Sequence, residues 1–425
     1  MSNKLWPKKK ISWLFDVIGS GTTPSASNEM YYNSPDMAWL NTGDLTDSYI
    51  EKTSKYVSQQ ALDEISALTV FPKDSLVMAM YGATIGKLGI TKYETTTNQA
   101  CCVLSKPREV ITKFIFYWLM GHRAEIINLS QGGGQPNISQ GIIRDIRIAV
   151  PPVELQNKIV TFIDKKFEET NQLINKKEKM IKLLELHRQS IITEAVTKGL
   201  NPNVKMKDSG VEWIGKIPEH WEISKIKYQT DINKNTLAEN TDSSYEMQYI
   251  DIGSVNSKGE LSTLDKYRFS DAPSRARRKV KKGDTIVSTV RTYLKAIATI
   301  ESEDENLVCS TGFAVLTARK AVREKYLSYL FKSTIYVDEI VSRSTGVSYP
   351  AINASEIGNL ECLLPTLDEQ KAIEIYIDKR LLEIDNLVKN IIKQIKKLKE
   401  YRQSLIYEAV TGKIDVRDME LEKVR

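Results

Sequence analysis

The sequence contains the same long segment twice, about 214 positions apart. Residues 136–197 align with residues 350–411 without a gap. From residue 151 to residue 197, roughly 20 of 47 aligned positions are identical. This period is far longer than the roughly 20–50 residues of solenoid repeats. It predicts two copies of a unit made of a domain and a helix, which together can hold two different targets at a fixed separation.

Composition fits a chain of several folded domains. The 425 residues are 41% hydrophobic and 27% charged, which is ordinary for globular proteins. No apolar run approaches the roughly 20 residues of a membrane span, so we expect no membrane partner and a cytoplasmic location. The pI of about 8.8 is compatible with a nucleic-acid partner, although many cytosolic proteins share it.

Cysteine and histidine usage gives no sign of a metal site. The four cysteines are not spaced as CxxC, and the three histidines are scattered. We therefore expect buried, free thiols in a reducing compartment and no zinc site.

Turn signals and short β-type runs divide the chain into repeated parts. The fold class that these patterns predict is α+β, with two pseudo-symmetric mixed α/β domains and two long antiparallel coiled-coil helices between them. The predicted boundaries are a first domain at 1–150, a helical region at 151–198, a linker at 199–219, a second domain at 220–364, a second helical region at 365–414 and a charged tail at 415–425.

The helical regions carry a heptad pattern. In the second copy the apolar positions follow steps of four and three: Ile377, Leu381, Ile384, Val388, Ile391, Ile395, Leu398, Leu405 and Ala409, with Arg402 interrupting. About 45 residues make a helix roughly 65–70 Å long. Such a helix cannot bury its stripe alone, so we expect the two helices to pair antiparallel and the chain ends to lie close together. Their Lys/Glu-rich outer faces are either solvated or a surface for a partner subunit.

Catalytic signatures are not recognisable in the sequence. Residues 82–88 resemble a phosphate loop, but three residues separate the glycines instead of four, and Leu88 stands where Ser or Thr would bind magnesium. Residues 150–153 lack the flanking residues of an amino-methyltransferase motif, and no nuclease spacing follows Pro35-Asp36. This pattern favours binding over catalysis.

Polar loops are the DNA-binding candidates in the first domain. Asn and Gln side chains can read adenine, and glycine lets the backbone approach phosphate. Each loop, taken alone, can also be an ordinary turn. The candidate residues are Thr42, Asp44, Tyr81, Thr84, Lys87, Gln99, Gln135 and Asn137.

The second domain contains a dense basic run at 275–282, followed by a further basic and aromatic segment. Arginine can donate two hydrogen bonds to guanine, and lysine neutralises phosphate. The alternative is a solvated turn. The candidate residues are Arg275, Arg277, Arg278, Lys281, Lys282, Arg291, Tyr293 and Lys295.

These motifs, in this order, resemble the specificity subunit of type I restriction–modification systems. The resemblance spans nearly the whole chain. It rests on GSGTTPS at 19–25, WLNTGD at 39–44, YGATIGK at 81–87, QPNIS at 135–139, PPVELQ at 151–156 and DSGVEWIGKIPEHW at 208–221. The second domain departs from the first, because it lacks the GTPS opening and has RTYLK at 291–295 in place of the YGATIGK turn.

The resemblance implies a non-catalytic subunit with two target-recognition domains and two helical spacers. It implies double-stranded DNA as a ligand, and two methyltransferase (M) subunits and restriction (R) subunits as partners. S-adenosylmethionine, ATP and Mg²⁺ would be used by those partners, with no cofactor in this chain. The DNA site would be asymmetric and in two parts, with an unread spacer set by the helices.

Other functions remain open at this point. A stand-alone DNA-binding regulator would use its coiled coil only to fix geometry. A protein-binding adaptor would use its helices and bind no DNA. A nuclease without a recognisable motif is disfavoured by the motif search.

Overall fold

The computed structural model describes residues 6–130, 136–256, 258–346 and 348–417. These residues form two compact units. The first unit contains the chain up to residue 177 together with the chain from residue 392, and the second contains residues 178–391. Each unit therefore combines one mixed domain with parts of both long helices.

The first unit folds around a five-stranded sheet with the order β2-β9-β6-β7-β4 and a three-stranded sheet with the order β5-β3-β8. Its strands are β1 (Lys8–Lys10), β2 (Phe15–Gly19), β3 (Met37–Leu40), β4 (Ser48–Ile50), β5 (Tyr56–Val57), β6 (Leu76–Ala79), β7 (Leu88–Thr91), β8 (Thr95–Thr97), β9 (Cys101–Pro107) and β10 (Arg147–Ala149). Its helices are α1 (Ile11–Leu14), α2 (Gln59–Glu64), α3 (Thr112–Gly121), α4 (Arg123–Ile127), α5 (Gln140–Asp145) and the part of α6 (Val153–Lys198) up to residue 177. The apolar residues 114–120 of α3 are all buried in the core, as expected for a helix that is hydrophobic on every side.

The second unit contains the corresponding elements. Its strands are β11 (Met206–Asp208), β12 (Lys216–Pro218), β13 (Glu222–Lys225), β14 (Thr230–Ile232), β15 (Glu246–Ile250), β16 (Asp265–Arg268), β17 (Ala276–Lys279), β18 (Thr285–Ser288), β19 (Ile297–Thr299), β20 (Leu307–Ser310), β21 (Phe313–Ala318) and β22 (Glu361–Leu364). Its helices are α7 (Ile226–Gln229), α8 (Glu324–Lys332), α9 (Thr334–Ser342), α10 (Ala354–Gly358) and the part of α11 (Leu367–Val410) up to residue 391.

The sheets of the two units share a common set of strands, to which the first unit adds β4 and the second adds β17. The order β14-β21-β18-β19 in the second unit corresponds to β2-β9-β6-β7 in the first. The parallel pair of β15 and β20 corresponds to the parallel pair of β3 and β8. The mixed α/β fold and the internal repeat predicted from the sequence are confirmed.

The two long helices bury the predicted heptad stripe and run antiparallel within each unit. In the first unit, Arg402 Nη1 donates to Asn171 Oδ1 (2.6 Å) and Lys177 Nζ to Gln394 Oε1 (2.5 Å), so rising numbers on α6 face falling numbers on α11. In the second unit the buried seam contains Ile191, Ile384 and Val388, with Ile181 and Leu184 packed against it. The coiled-coil prediction is confirmed.

Each long helix is held to its mixed domain by a repeated hydrogen bond. The Tyr117 hydroxyl donates to Asp164 in the first unit, and the Tyr329 hydroxyl donates to Asp378 in the second. In both cases the same aspartate also pairs with the lysine four positions before the tyrosine. Burial raises the pKa of both tyrosines, with a further contribution from the aspartate, so each hydroxyl remains a donor.

A tryptophan packs against a glycine after the end of each long helix. A Cβ added at Gly199 would lie 3.3 Å from the ring of Trp221, and a Cβ added at Gly412 would lie 3.0 Å from the ring of Trp6. Both glycines have positive φ, 73° in each case, which suits a residue that ends a helix. Because Trp6 and Gly412 belong to the same unit, the described ends of the chain lie close together, as predicted.

The described residues contain no helix that combines the length and the apolar composition needed to cross a membrane.

Candidate nucleic-acid interface

The polar loops predicted in the first domain meet at one edge of the first unit, which we name the first polar edge. It comprises residues 20–23, 41–44, 81–87, 98–99 and 137–140. Backbone hydrogen bonds hold these loops together. The amide of Asn98 donates to Leu40 O (3.0 Å), the amide of Met80 to Ala100 O (2.9 Å) and the amide of Ile138 to Met80 O (2.8 Å). The sheet therefore gathers sequence-distant polar residues at the ends of its strands.

Side chains also bond to one another along this edge. Asn98 Nδ2 donates to Asn41 Oδ1 at 3.1 Å, and Thr23 Oγ1 donates to Gln99 Oε1 at 2.6 Å. The amide groups of Asn41, Asn98 and Gln99 keep further donors and acceptors. They form a polar surface whose groups are already oriented.

The predicted residues of the first edge differ in exposure and in role. Lys87, Gln99 and Asn137 are exposed, whereas Thr42, Asp44, Tyr81 and Thr84 are partly buried. The Asp44 carboxylate accepts the backbone amides of Asn41 (2.9 Å) and Ser54 (3.0 Å), so it stabilises its own turn. Gln135 lies outside the described residues. The assignment of these residues to DNA contacts remains a prediction.

The second unit has a corresponding edge, which we name the second polar edge. It comprises residues 251–254, 289–295, 310–312 and 349–352. The amide of Arg291 donates to Pro350 O (2.8 Å), the amide of Ile352 to Thr289 O (2.9 Å) and the amide of Thr289 to Gly312 O (2.8 Å). The segment predicted at 291–295 is therefore a turn within this edge.

The turns of the two edges have the same left-handed backbone conformation at two positions, but different residues occupy those positions. Gly82 and Gly86 have φ of 78° and 76°, while Arg291 and Lys295 have φ of 50° and 54°. The left-handed region costs a non-glycine residue about 1–2 kcal/mol. The surrounding turn must therefore hold Arg291 and Lys295 in this conformation. At these two positions the second edge has basic side chains, whereas the first edge has glycines.

Sequence reasoning missed Tyr349, which lies beside this turn. Its side chain is 66% exposed, and Arg291 Cζ lies 5.0 Å from its ring centroid, within cation–π range. Tyr293, in the same turn, is 52% exposed. The repeat offered a signal, because a shift of about 214 positions places Tyr349 opposite Gln135, which the sequence had singled out.

The basic run at 275–282 does not form one continuous surface. The carbonyl of Arg275 accepts the amide of Thr311 (2.8 Å), which places Arg275 at the second polar edge. Strand β17 follows and spans about 13 Å. Lys282 lies beyond it and pairs with Glu303. Only the beginning of the run therefore adjoins the second polar edge.

The middle of the run is partly engaged within its own domain. The guanidinium of Arg277 lies 4.7 Å from the ring centroid of Phe269. Arg278 is partly buried, its Nη1 has no hydrogen-bond partner among the described residues, and burial lowers its pKa. Lys281 is exposed, and its amide donates to Asp284.

The cysteines are free and buried, as expected. Burial raises the pKa of Cys101, Cys102, Cys309 and Cys362 to about 12, which disfavours the thiolate needed by a nucleophile or a metal ligand. Among the residues that the structure describes, no group of three or more His, Cys, Asp or Glu side chains is placed to hold a metal ion.

The long helices expose apolar side chains on their outer faces. The residues with more than about two fifths of their surface exposed include Leu173, Met180, Leu183 and Leu186 on α6, and Ile375, Leu382, Leu387, Ile392 and Tyr401 on α11. These side chains lie outside the buried seam between the helices and are available for contact with another protein.

A family model described as the type I restriction modification DNA specificity domain matches residues 3–183 and again residues 218–397. The chain belongs to this family. It is similar to the MjaVIII specificity subunit of Methanocaldococcus jannaschii, with 23% identity over 392 residues, covering 90% of this chain and 87% of that protein. The MjaIX specificity subunit of the same organism is 23% identical over 433 residues, covering 98% and 95%.

Solved structures share the fold. One comes from a study of complex assembly and conformational transition in the type I R-M system, with a TM-score of 0.67 and 15% identity, covering 97% of this chain and all of that chain. The HsdS subunit of Thermoanaerobacter tengcongensis matches with a TM-score of 0.54 and 15% identity, covering 97% and 98%.

Proposed function

We propose that this protein is the DNA-recognition subunit of a type I restriction–modification complex. Each polar edge reads one half of an asymmetric DNA site in two parts. The paired helices set the number of unread base pairs between the halves. The chain itself carries out no catalytic step.

The observation that carries this proposal is the difference between two edges built on one scaffold. The strand order and the turn geometry repeat, while Gly82 and Gly86 are replaced by Arg291 and Lys295. Gly82, with no neighbour within 4 Å of an added Cβ, lets the backbone approach DNA closely, whereas arginine and lysine donate to bases and phosphates. Two edges that differ in this way suit two different half-sites.

We further propose that the outer apolar faces of α6 and α11 bind two methyltransferase subunits, and that restriction subunits join the complex through them. S-adenosylmethionine, ATP and Mg²⁺ belong to those subunits. The relatives are specificity subunits, which supports this division of labour.

A reconstitution experiment tests the proposal. The purified chain alone is expected neither to methylate nor to cleave DNA, and methylation should appear when a type I methyltransferase subunit from the same organism is added. Specific DNA binding that needs no methyltransferase and yields no methylation would favour a stand-alone regulator. Assembly with the methyltransferase without sequence-specific DNA binding would favour an adaptor.

A further inference from the structure

The second unit contains a cavity of about 730 Å³ between α6 and the second mixed domain. Its charged lining consists of Lys182, Arg188, Lys258, Lys295 and Lys332, with Glu185 as the acidic member. Lys295 also belongs to the second polar edge. The cavity is therefore strongly cationic and adjoins that edge.

Two of the five cations are neutralised within the unit. Arg188 pairs with Asp385 and with Glu185, and Lys258 contacts the same two carboxylates, at 3.3 Å from Asp385 and 3.7 Å from Glu185. Lys182, Lys295 and Lys332 form no ion pair with any residue that the structure describes. The cavity consequently has an excess of positive charge.

Lys332 is the most enclosed of the unpaired lysines. A Cβ added at Gly259 would lie 2.8 Å from its ammonium nitrogen, so the 258–260 loop closes over it. Burial lowers its pKa, although Glu301 and Glu260 act in the opposite direction from outside ion-pair distance. Lys332 is partly buried, whereas Lys182 and Lys295 are exposed. A partly buried ammonium loses hydration without gaining an ion pair, and a bound anion would offset that cost.

The first unit serves as an internal comparison. Tyr117 and Tyr329 occupy equivalent positions, because each bonds to the aspartate of its long helix. Three residues later the first unit has Met120, where the second has Lys332. Gly86 likewise stands opposite Lys295. The shared scaffold therefore does not require these cations.

We propose that this cavity binds a phosphate group. The phosphate is either one of the DNA backbone beside the second half-site or part of a free phosphate or polyphosphate. The assignment of this phosphate to the DNA backbone rests on the proposed function, whereas the existence of the phosphate site does not. Lysine ammonium groups in a partly apolar enclosure form strong charge-assisted hydrogen bonds to phosphate oxygens.

The first arm of the test uses the full chain without DNA. Inorganic phosphate, compared with chloride at matched ionic strength, is expected to raise the unfolding temperature of the wild type. Phosphate also stabilises folded proteins by exclusion from their surface, so the variant Lys332→Met, which copies the first unit, should show a smaller rise than the wild type. It should be at least as stable in chloride, so misfolding cannot explain the difference. Lys332→Arg should keep the response. Lys389→Met, at an exposed position on α11, is the matched control.

The second arm uses DNA in which single backbone phosphates beside the second half-site are replaced by neutral methylphosphonates. At one of these positions the replacement is expected to weaken wild-type binding about tenfold, because it removes a charge-assisted hydrogen bond. The same replacement should not affect Lys332→Met, which has already lost that hydrogen bond. A response in this arm assigns the DNA backbone, and a response to inorganic phosphate alone assigns a free phosphate.

The proposal is overturned if neither arm distinguishes Lys332→Met from the wild type. A chain that binds no DNA sequence specifically would contradict the proposed function, but the inorganic-phosphate arm would still decide whether the cavity is a phosphate site.

Discussion

The side chain of Gln156 accepts a hydrogen bond from the backbone amide of Ile111 at 2.8 Å. Its amide group donates to Glu109 O (3.2 Å) and to Pro151 O (2.8 Å). Gln370 makes the equivalent bonds in the second unit, accepting from the amide of Arg323 at 2.8 Å. Both glutamines are 0% exposed. A buried glutamine whose side-chain oxygen and nitrogen are both hydrogen-bonded thus holds the start of each long helix to its mixed domain.

Replacement of either glutamine by leucine should destabilise one unit. Each variant leaves three backbone groups without a partner, which we expect to cost about 2–4 kcal/mol. Hydrogen exchange should accelerate at 112–121 in Gln156→Leu and at 324–332 in Gln370→Leu, each leaving the other helix unchanged. Gln172→Leu, at an exposed position on α6, is the control. Unchanged exchange in both variants would show that the bonds contribute little.

The helix pairing could be predicted because burial follows a simple period. The stripe that contains Ile384, Val388 and Ile391 is buried, whereas Leu382 and Leu387 are exposed. The repeat similarly predicted two mixed domains of one topology. Periodicity and repetition are both visible in the linear sequence, so they can be recognised without the structure.

The details of the site could not be predicted in this way. The run at 275–282 looked like one basic patch, but β17 carries its two ends apart. The contact between Arg291 and Tyr349 joins residues distant in sequence, and the left-handed conformation of Arg291 is visible only in the folded turn. Strand pairing, which determines these relationships, is not encoded in the spacing of residues.

Arg291→Ala should weaken DNA binding and relax one position of one half-site. The loss of a bidentate contact to a base costs roughly 1–3 kcal/mol. Tyr349→Ala should act in the same direction but more weakly, because it removes the aromatic ring beside the guanidinium. Affinity for single-base variants of both half-sites is the measurement. Equal relaxation of both half-sites would contradict independent reading.

The two ends of the basic run should behave differently. Arg275→Ala is expected to weaken DNA binding, because this residue adjoins the second polar edge. The sequence predicts phosphate contacts for Lys281 and Lys282, each worth about 0.9 in the log–log salt slope. Lys282 pairs with Glu303, so we expect its replacement by alanine to change that slope less than replacement of Lys281. The three variants are compared by measuring DNA affinity at two salt concentrations. An unchanged affinity in Arg275→Ala would contradict a DNA contact by Arg275.

The length of the helices should set the spacer of the DNA site. A four-residue insertion at facing positions of α6 and α11 adds about 6 Å, or close to two base pairs at ~3.4 Å each. We expect recognition of a longer spacer with both half-sites unchanged. Sequence selection from a randomised DNA library measures this outcome, and altered half-sites with the original spacer would refute the role of the helices.

Sequencing of methylated bases in a host genome tests the central claim most directly. The chain would be expressed with a type I methyltransferase subunit from the same organism in a strain that lacks other methylation. We predict one asymmetric motif in two parts with a fixed unread spacer, of which Arg291→Ala relaxes only one part. A continuous or symmetric motif, or relaxation of both parts by this single substitution, would contradict recognition by two independent edges.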